Sequence, residues 1–184
     1  PDLAGLRLTG VADRQDVNGV FGEISSGTDL ASRNVMVFSF GDEARVILRP
    51  SGTEPKNKAY IEVRGQKCTD LTAEISRVEL LASELSVAFV DEMLSRVDIS
   101  LPKWAHEISG LVPVESKVAF VKTLTQLVSK VSEDDESGAW LEAELAGHGA
   151  DATGLFRDAV VAYFTEMSVA AGVRSKIEKL FSIE

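Results

Sequence analysis

Seven apolar residues between positions 71 and 93 recur at spacings of three and four, the pattern of one face of a long helix. They are Leu71, Ile75, Val78, Ala82, Leu85, Phe89 and Met93. Thr69 or Asp70 is suited to cap its start, and we expect it to end near Val97, before a Leu-Pro pair. Because such a helix must bury its apolar stripe, the chain needs a second layer to cover it.

The first third of the chain supplies that layer as β-structure. Residues 35–40 and 44–48 are rich in strand-forming residues and flank Gly41-Asp42, which predicts an antiparallel hairpin. Residues 58–63 alternate polar and apolar, which predicts a third strand with one buried face. A short strand-like stretch is expected at residues 6–11, and Ser25-Ser26-Gly27 is interpreted as a turn.

The last part of the chain is predicted to be helical. One apolar stripe comprises Val118, Val121, Leu124, Val128 and Val131, and another comprises Phe156, Val160, Tyr163, Phe164 and Met167. We therefore expect an α+β fold, a small antiparallel sheet with a long packed helix, followed by an α-helical extension. The predicted domains are residues 1–97 and 98–184. The extension is expected to pack on the sheet domain or on a second copy of itself, as a homo-oligomer.

Composition and charge limit the functions to consider. No apolar run approaches the ~20 residues that span a bilayer, so no membrane partner is expected. A single cysteine, Cys68, fits a reducing compartment, and we expect a cytoplasmic protein. Residues 1–68 carry nine basic and nine acidic residues, so the net charge of −10 resides in the remainder. Such a field repels nucleic acid, and an anion would need a local site in the neutral first third.

The segment 45–58 has the composition of such a site. Arg49 offers a planar fork for two phosphate oxygens, and Lys56 and Lys58 add positive charge. Gly52 lets the backbone turn so that N–H groups can point inward. Ser51 and Thr53 add hydroxyl donors, while prolines stiffen both shoulders. A polar hairpin turn with incidental basic residues is the alternative. The spacing is not that of a nucleotide P-loop, and a strand follows instead of a helix.

Residues 49–56, Arg-Pro-Ser-Gly-Thr-Glu-Pro-Lys, closely resemble the signature of the last domain of α-D-phosphohexomutases. The resemblance covers about residues 5–97 and implies a TATA-binding-protein-like domain whose loop contacts the sugar phosphate that is not transferred. Asn57 stands where the family favours an apolar residue. By this resemblance the phosphate contacts are Arg49, Ser51, Gly52, Thr53 and Lys58.

The resemblance also implies parts that this sequence does not contain. The family transfers phosphate through a phosphoserine in a Thr-x-Ser-His-Asn-Pro-like loop and binds Mg²⁺ at Asp-x-Asp-x-Asp, and neither motif occurs here. We therefore expect no catalytic residue, cofactor or metal in this chain, and Mg²⁺ in the full-length enzyme. Expected partners are a phosphosugar substrate and upstream domains of the same polypeptide, and the start at Pro1 fits a piece of a longer protein. The alternative is a free-standing phosphate-binding or interaction module without catalysis.

Other reactive or aromatic residues are weaker candidates. His106 and His148 are far apart, and no other histidine or cysteine stands near them at ligand spacing. Residues 133–136 are interpreted as a solvated acidic loop. Trp104, Trp140 and Tyr163 are expected to be core or interface residues, and Cys68 a structural thiol.

Overall fold

An antiparallel sheet and a long helix form the first part of the chain. The structure is a computed structural model and describes residues 2–52, 56–130, 143, 145–147, 149 and 151–183. The strands are β1 (Asp2–Leu3), β2 (Leu6–Arg7), β3 (Gly10–Asp13), β4 (Met36–Phe40), β5 (Ala44–Pro50) and β6 (Asn57–Val63). β3 to β6 pair in chain order as one antiparallel sheet, and β1 pairs with β2 in a separate hairpin. The predicted α+β fold is confirmed.

Helices make up much of the rest of the described chain. They are α1 (Gly27–Ser32), α2 (Leu71–Ser95), a 3₁₀ helix (Lys103–Glu107), α3 (Val114–Lys130), α4 (Ala152–Glu166) and α5 (Ala171–Phe181). The chain divides into two compact units, Pro1–Asp98 and Ile99–Glu184, and each has a core of its own. None of the described helices is both long enough and apolar enough to cross a membrane.

The sheet of the first unit has one buried face. Phe40 and Val46 lie on it and form a core with Leu85 and Phe89 of α2. The ring of Phe38 meets that of Phe89 edge-on, with centroids 5.5 Å apart. Side chains alternate along a strand, so the neighbouring positions of β5 and β6 point the opposite way. We call that side the outer face; its members on these two strands are Arg45, Ile47, Arg49, Lys58, Tyr60 and Glu62.

Helix α2 begins where the sequence predicts, because the Asp70 side chain accepts a hydrogen bond from the N–H of Ala73 at 3.0 Å. Its apolar stripe is buried unevenly. Leu85 is fully buried, but Leu71 is 68% exposed and Ile75 is also exposed. A helix of 25 residues is about 37 Å long, whereas strands of seven residues span about 23 Å. The first turns of α2 therefore have too little sheet to cover them.

The described aromatic residues of the second unit are buried among its own helices. Phe120 of α3 stacks on Phe156 of α4 with ring centroids 4.1 Å apart, and Trp104 meets Tyr163 edge-on at 5.0 Å. The expectation that Trp104 and Tyr163 are core residues is confirmed. In the stripe predicted for α3, Leu124 is fully buried and Val121 and Val128 pack against the core, whereas Val118 is exposed. Phe120, which the stripe did not include, is fully buried. Met167, predicted to end the α4 stripe, is also exposed.

Candidate phosphate-binding site

The segment singled out by the sequence is the connection between β5 and β6. Pro50 and Asn57 are the last paired residues of the two strands. The N–H of Ser51 then donates to the carbonyl of Lys56 at 2.8 Å and closes the loop behind them. Ser51, Gly52 and Lys56 are described, whereas Thr53 falls among residues 53–55, which lie outside the described residues. The loop is thus held at its base by strand pairing.

Arg49 and Lys58 stand directly opposite each other on β5 and β6, both on the outer face. Like charges in this arrangement repel and destabilise a strand pair. Within the described residues neither side chain forms an ion pair with a carboxylate. Arg45, four residues earlier on the same face, has Glu62 opposite and pairs with it. Among the described residues, the strand pair therefore has an opposite-charge pair at Arg45 and Glu62 and two cations without a carboxylate partner at the loop end.

The Ser51 side chain is the second feature of the site. The residue is 9% exposed, and its hydroxyl oxygen has no hydrogen-bond partner among the described residues. A buried hydroxyl without a partner is costly, so such groups usually serve a ligand or an ordered water. Since the N–H of Ser51 is already used by Lys56, only the hydroxyl remains free to donate to an anion.

Gly52 packs against helix α1 and has no unusual backbone angle. Its φ lies outside the left-handed region, so the turn itself does not demand glycine. A Cβ at this position would lie 3.4 Å from Cγ2 of Thr28 and 3.5 Å from Cβ of Ser32, both in α1. The sequence predicts that Gly52 turns the backbone, but its φ is not in the region that favours glycine, and the residue lies against helix α1.

Helix α1 is the element that the sequence analysis missed. Ser26 is its N-cap and accepts a hydrogen bond from the N–H of Asp29 at 3.1 Å. The signal was present, because a serine followed three residues later by an acid is the pattern of a capping box. We instead interpreted Ser25-Ser26-Gly27 as a turn, since a helix of six residues is too short to show an apolar stripe.

Arg33, the residue after α1, ties the helix to the preceding loop. Its guanidinium donates to both carboxylate oxygens of Asp29, to Asp16 at 2.9 Å, and to the carbonyls of Gly22 and Glu23. These contacts use all five of its N–H donors. The hydrogen bonds from Arg33 lower the pKa of Asp29 to about 2. Asp16 is buried, and its pKa is also lowered, mainly by the hydrogen bond from the N–H of Val20.

Tyr60 is a neighbour of the site that sequence reasoning also missed. It lies on the outer face two residues beyond Lys58, and Nη2 of Arg49 donates to its hydroxyl at 3.3 Å. This hydrogen bond, together with the charges of Arg49 and Lys58, lowers the pKa of the Tyr60 phenol. The alternation from Lys58 to Tyr60 was a signal for a shared face.

The other sequence candidates do not join this site. Cys68 is exposed beyond β6, and His106 lies in the 3₁₀ helix of the second unit. His148, Trp140, Val131 and the acidic run 133–136 lie outside the described residues. Among the described residues, no three His, Cys, Asp or Glu side chains come together as possible metal ligands.

The comparison with known protein families finds one family model that matches the segment containing this loop. Residues 5–76 match the family model of the phosphoglucomutase/phosphomannomutase C-terminal domain, so this part of the chain is similar to that domain. The match covers β3 to β6 and the loop, and it ends within α2, short of residue 97 where we expected the resemblance to stop. No curated protein and no solved structure matches the chain significantly.

Proposed function

We propose that this chain is the substrate-phosphate-binding C-terminal domain of a phosphosugar mutase. In this proposal the β5–β6 loop grips the phosphate that is not being transferred. Arg49 is the bidentate anchor and Lys58 adds charge beside it. Ser51, Thr53 and the Gly52 amide complete the cradle. The observation that carries the proposal is the Arg49–Lys58 pair, which has no carboxylate partner among the described residues, together with the buried Ser51 hydroxyl, which has no hydrogen-bond partner among them.

The role fits what a mutase needs from a domain remote from the chemistry. In intramolecular phosphoryl transfer on a hexose or pentose phosphate, the intermediate carries phosphate at both ends. Gripping the distal phosphate holds the sugar in register, and binding energy far from the reacting atom supports orientation at that atom. Movement of this domain would open and close the cleft.

The chemistry itself is assigned to other domains of the parent polypeptide. By the family resemblance, the phosphoserine and the Mg²⁺ that assists its transfer belong to upstream domains. The described residues of this chain offer no set of metal ligands, and the binding step uses only arginine, lysine, hydroxyl and amide groups. Which phosphosugar the parent prefers is not encoded in these groups, because they contact phosphate alone.

A free-standing phosphate-binding or interaction module is the alternative function. It uses the same loop, so phosphate binding does not separate the two proposals. An upstream reading frame of several hundred codons in the gene would favour the mutase. A gene that starts next to Pro1 would favour the module.

The test is a set of affinities for glucose 6-phosphate, measured by ³¹P NMR at fixed ionic strength. A single cradle without its sugar-facing domains is expected to bind in the millimolar range, about −4 kcal/mol. Arg49→Met should weaken binding at least tenfold, because the charge-assisted contact is lost. Arg45→Met is the matched control, since Arg45 shares the strand and the face but pairs with Glu62. Equal losses in both variants would mean that only diffuse charge attracts the ligand, which contradicts the proposal.

A further inference from the structure

Arg49 contacts Tyr60 on the outer face of the sheet. The two residues are diagonal neighbours across β5 and β6, a spacing that aromatic and long side chains can bridge. Nη2 of Arg49 donates to the phenol oxygen at 3.3 Å, and its guanidinium carbon lies 5.8 Å from the ring centroid. Tyr60 remains 45% exposed, so the contact is formed on an open surface.

The contact between Arg49 and Tyr60 differs from the ion pairs that other described arginines form. Arg33, Arg45 and Arg77 each donate to carboxylates. Among the described residues, the Tyr60 hydroxyl is the hydrogen-bond acceptor of Arg49. A neutral phenol orients a guanidinium and leaves its positive charge in place. A carboxylate would orient the guanidinium and also neutralise its charge.

We propose that Tyr60 is a positioning residue for the phosphate anchor. Its hydroxyl takes one Nη2 donor of Arg49 and sets the guanidinium beside Lys58, which leaves the remaining donors for phosphate oxygens. Holding the side chain before the ligand arrives lowers the entropy lost on binding. The inference rests on the proposed phosphate-binding function and adds a residue to it.

The charges around Tyr60 provide a direct readout. On the outer face Arg49 and Lys58 lie next to the phenol, and the Arg45–Glu62 pair lies on its other side. On β4 the outer-face neighbours are Val37 and Ser39, which carry no charge. Arg49 stabilises the phenolate and lowers the pKa of Tyr60. A phosphate dianion bound to the same guanidinium would oppose that effect and raise this pKa.

The first experiment titrates the chain labelled with ¹³Cζ-tyrosine, with and without inorganic phosphate. The chain has two tyrosines, and Tyr163→Phe assigns their signals. Burial raises the pKa of Tyr163, so its titration should lie above that of Tyr60. Phosphate should move the Tyr60 titration to higher pH and leave Tyr163 unchanged. If phosphate binds but the pKa of Tyr60 does not change, the inference is overturned.

The second experiment compares phosphate affinity in Tyr60→Phe and wild-type chains. Losing one orienting hydrogen bond should weaken binding about threefold to tenfold without changing the melting temperature. If Tyr60→Phe binds like wild type while Arg49→Met does not, the proposed function stands and the positioning role is wrong. If the wild-type chain binds no phosphate, both proposals fail.

Discussion

Arg33 grips Asp29 through two parallel hydrogen bonds, from Nε to Oδ1 at 2.9 Å and from Nη2 to Oδ2 at 2.8 Å. The same guanidinium reaches Asp16, which is buried. Because α1 packs on Gly52, this pairing links the loop at residues 16–25 to the helix behind the phosphate loop. The site is therefore supported by a polar network as well as by strand pairing.

Replacing Arg33 should loosen that support. Arg33→Met leaves the buried Asp16 carboxylate without its cation, which is expected to lower the melting temperature of the first unit. Arg96→Met is the control, because Arg96 pairs with Glu92 on an exposed turn of α2 and should matter little. The measurement is thermal unfolding followed through β5 amide signals. Equal melting temperatures for the two variants would contradict the network's role.

The same network predicts a dependence of stability on pH. The pKa of Asp29 is about 2 in the folded chain, against about 3.9 in an unfolded one. Its contribution is therefore complete above pH 4 and is lost as the pH falls through 2. Asp29→Asn should remove part of the acid sensitivity in this window. A carboxyl titration by ¹³C NMR with a midpoint near 4 for Asp29 would refute this prediction.

The uneven burial of α2 predicts unequal effects of two leucine truncations. Leu85→Ala should destabilise the first unit by about 2–5 kcal/mol, because Leu85 is fully buried against the sheet. Leu80→Ala in the same helix should change stability by about 0.5 kcal/mol or less, since Leu80 is 61% exposed. Urea unfolding read from β5 amides measures both. Similar losses at the two positions would show that the assigned face of α2 is wrong.

The packing of Gly52 predicts how much side chain the loop tolerates. Gly52→Ala places its methyl group at ordinary contact distance from α1, so stability and phosphate binding should change little. Gly52→Val adds methyl groups with no space beside Thr28, and overpacking of this kind costs about 1–3 kcal/mol. Thermal unfolding and phosphate titration of both variants make the test. A large loss in Gly52→Ala would indicate that the amide geometry demands glycine after all.

The purified chain alone is expected to show no mutase activity on glucose, mannose or ribose phosphates. The family's phosphoserine and metal motifs do not occur in its sequence. A coupled assay with added Mg²⁺ and a sugar bisphosphate primer measures this. Turnover that copurifies with the chain and responds to Mg²⁺ would overturn the assignment of catalysis to other domains.

Local patterns in the sequence predicted the loop, its flanking strands and the start of α2, because each depends on residues close in the chain. The period-two alternation at residues 58–63 and the Asp70 cap are of this kind. What the patterns did not give depends on tertiary packing. The exposure of Leu71 follows from the length of the sheet, and the place of Gly52 follows from α1. That the Ser51 hydroxyl has no hydrogen-bond partner among the described residues could be found only from the folded structure.

The most direct test of the phosphate site is a residue-by-residue NMR map of glucose 6-phosphate binding. Titration of the ¹⁵N-labelled chain should shift the amides of Ser51, Gly52 and Lys58 and the Nε–H of Arg49 with one common affinity. Ser51→Ala should weaken that affinity several-fold, because the variant lacks the hydroxyl that would donate a hydrogen bond to the phosphate. Shifts spread over the basic surface, with none concentrated at residues 49–58, would contradict the claim that this loop binds the substrate's phosphate.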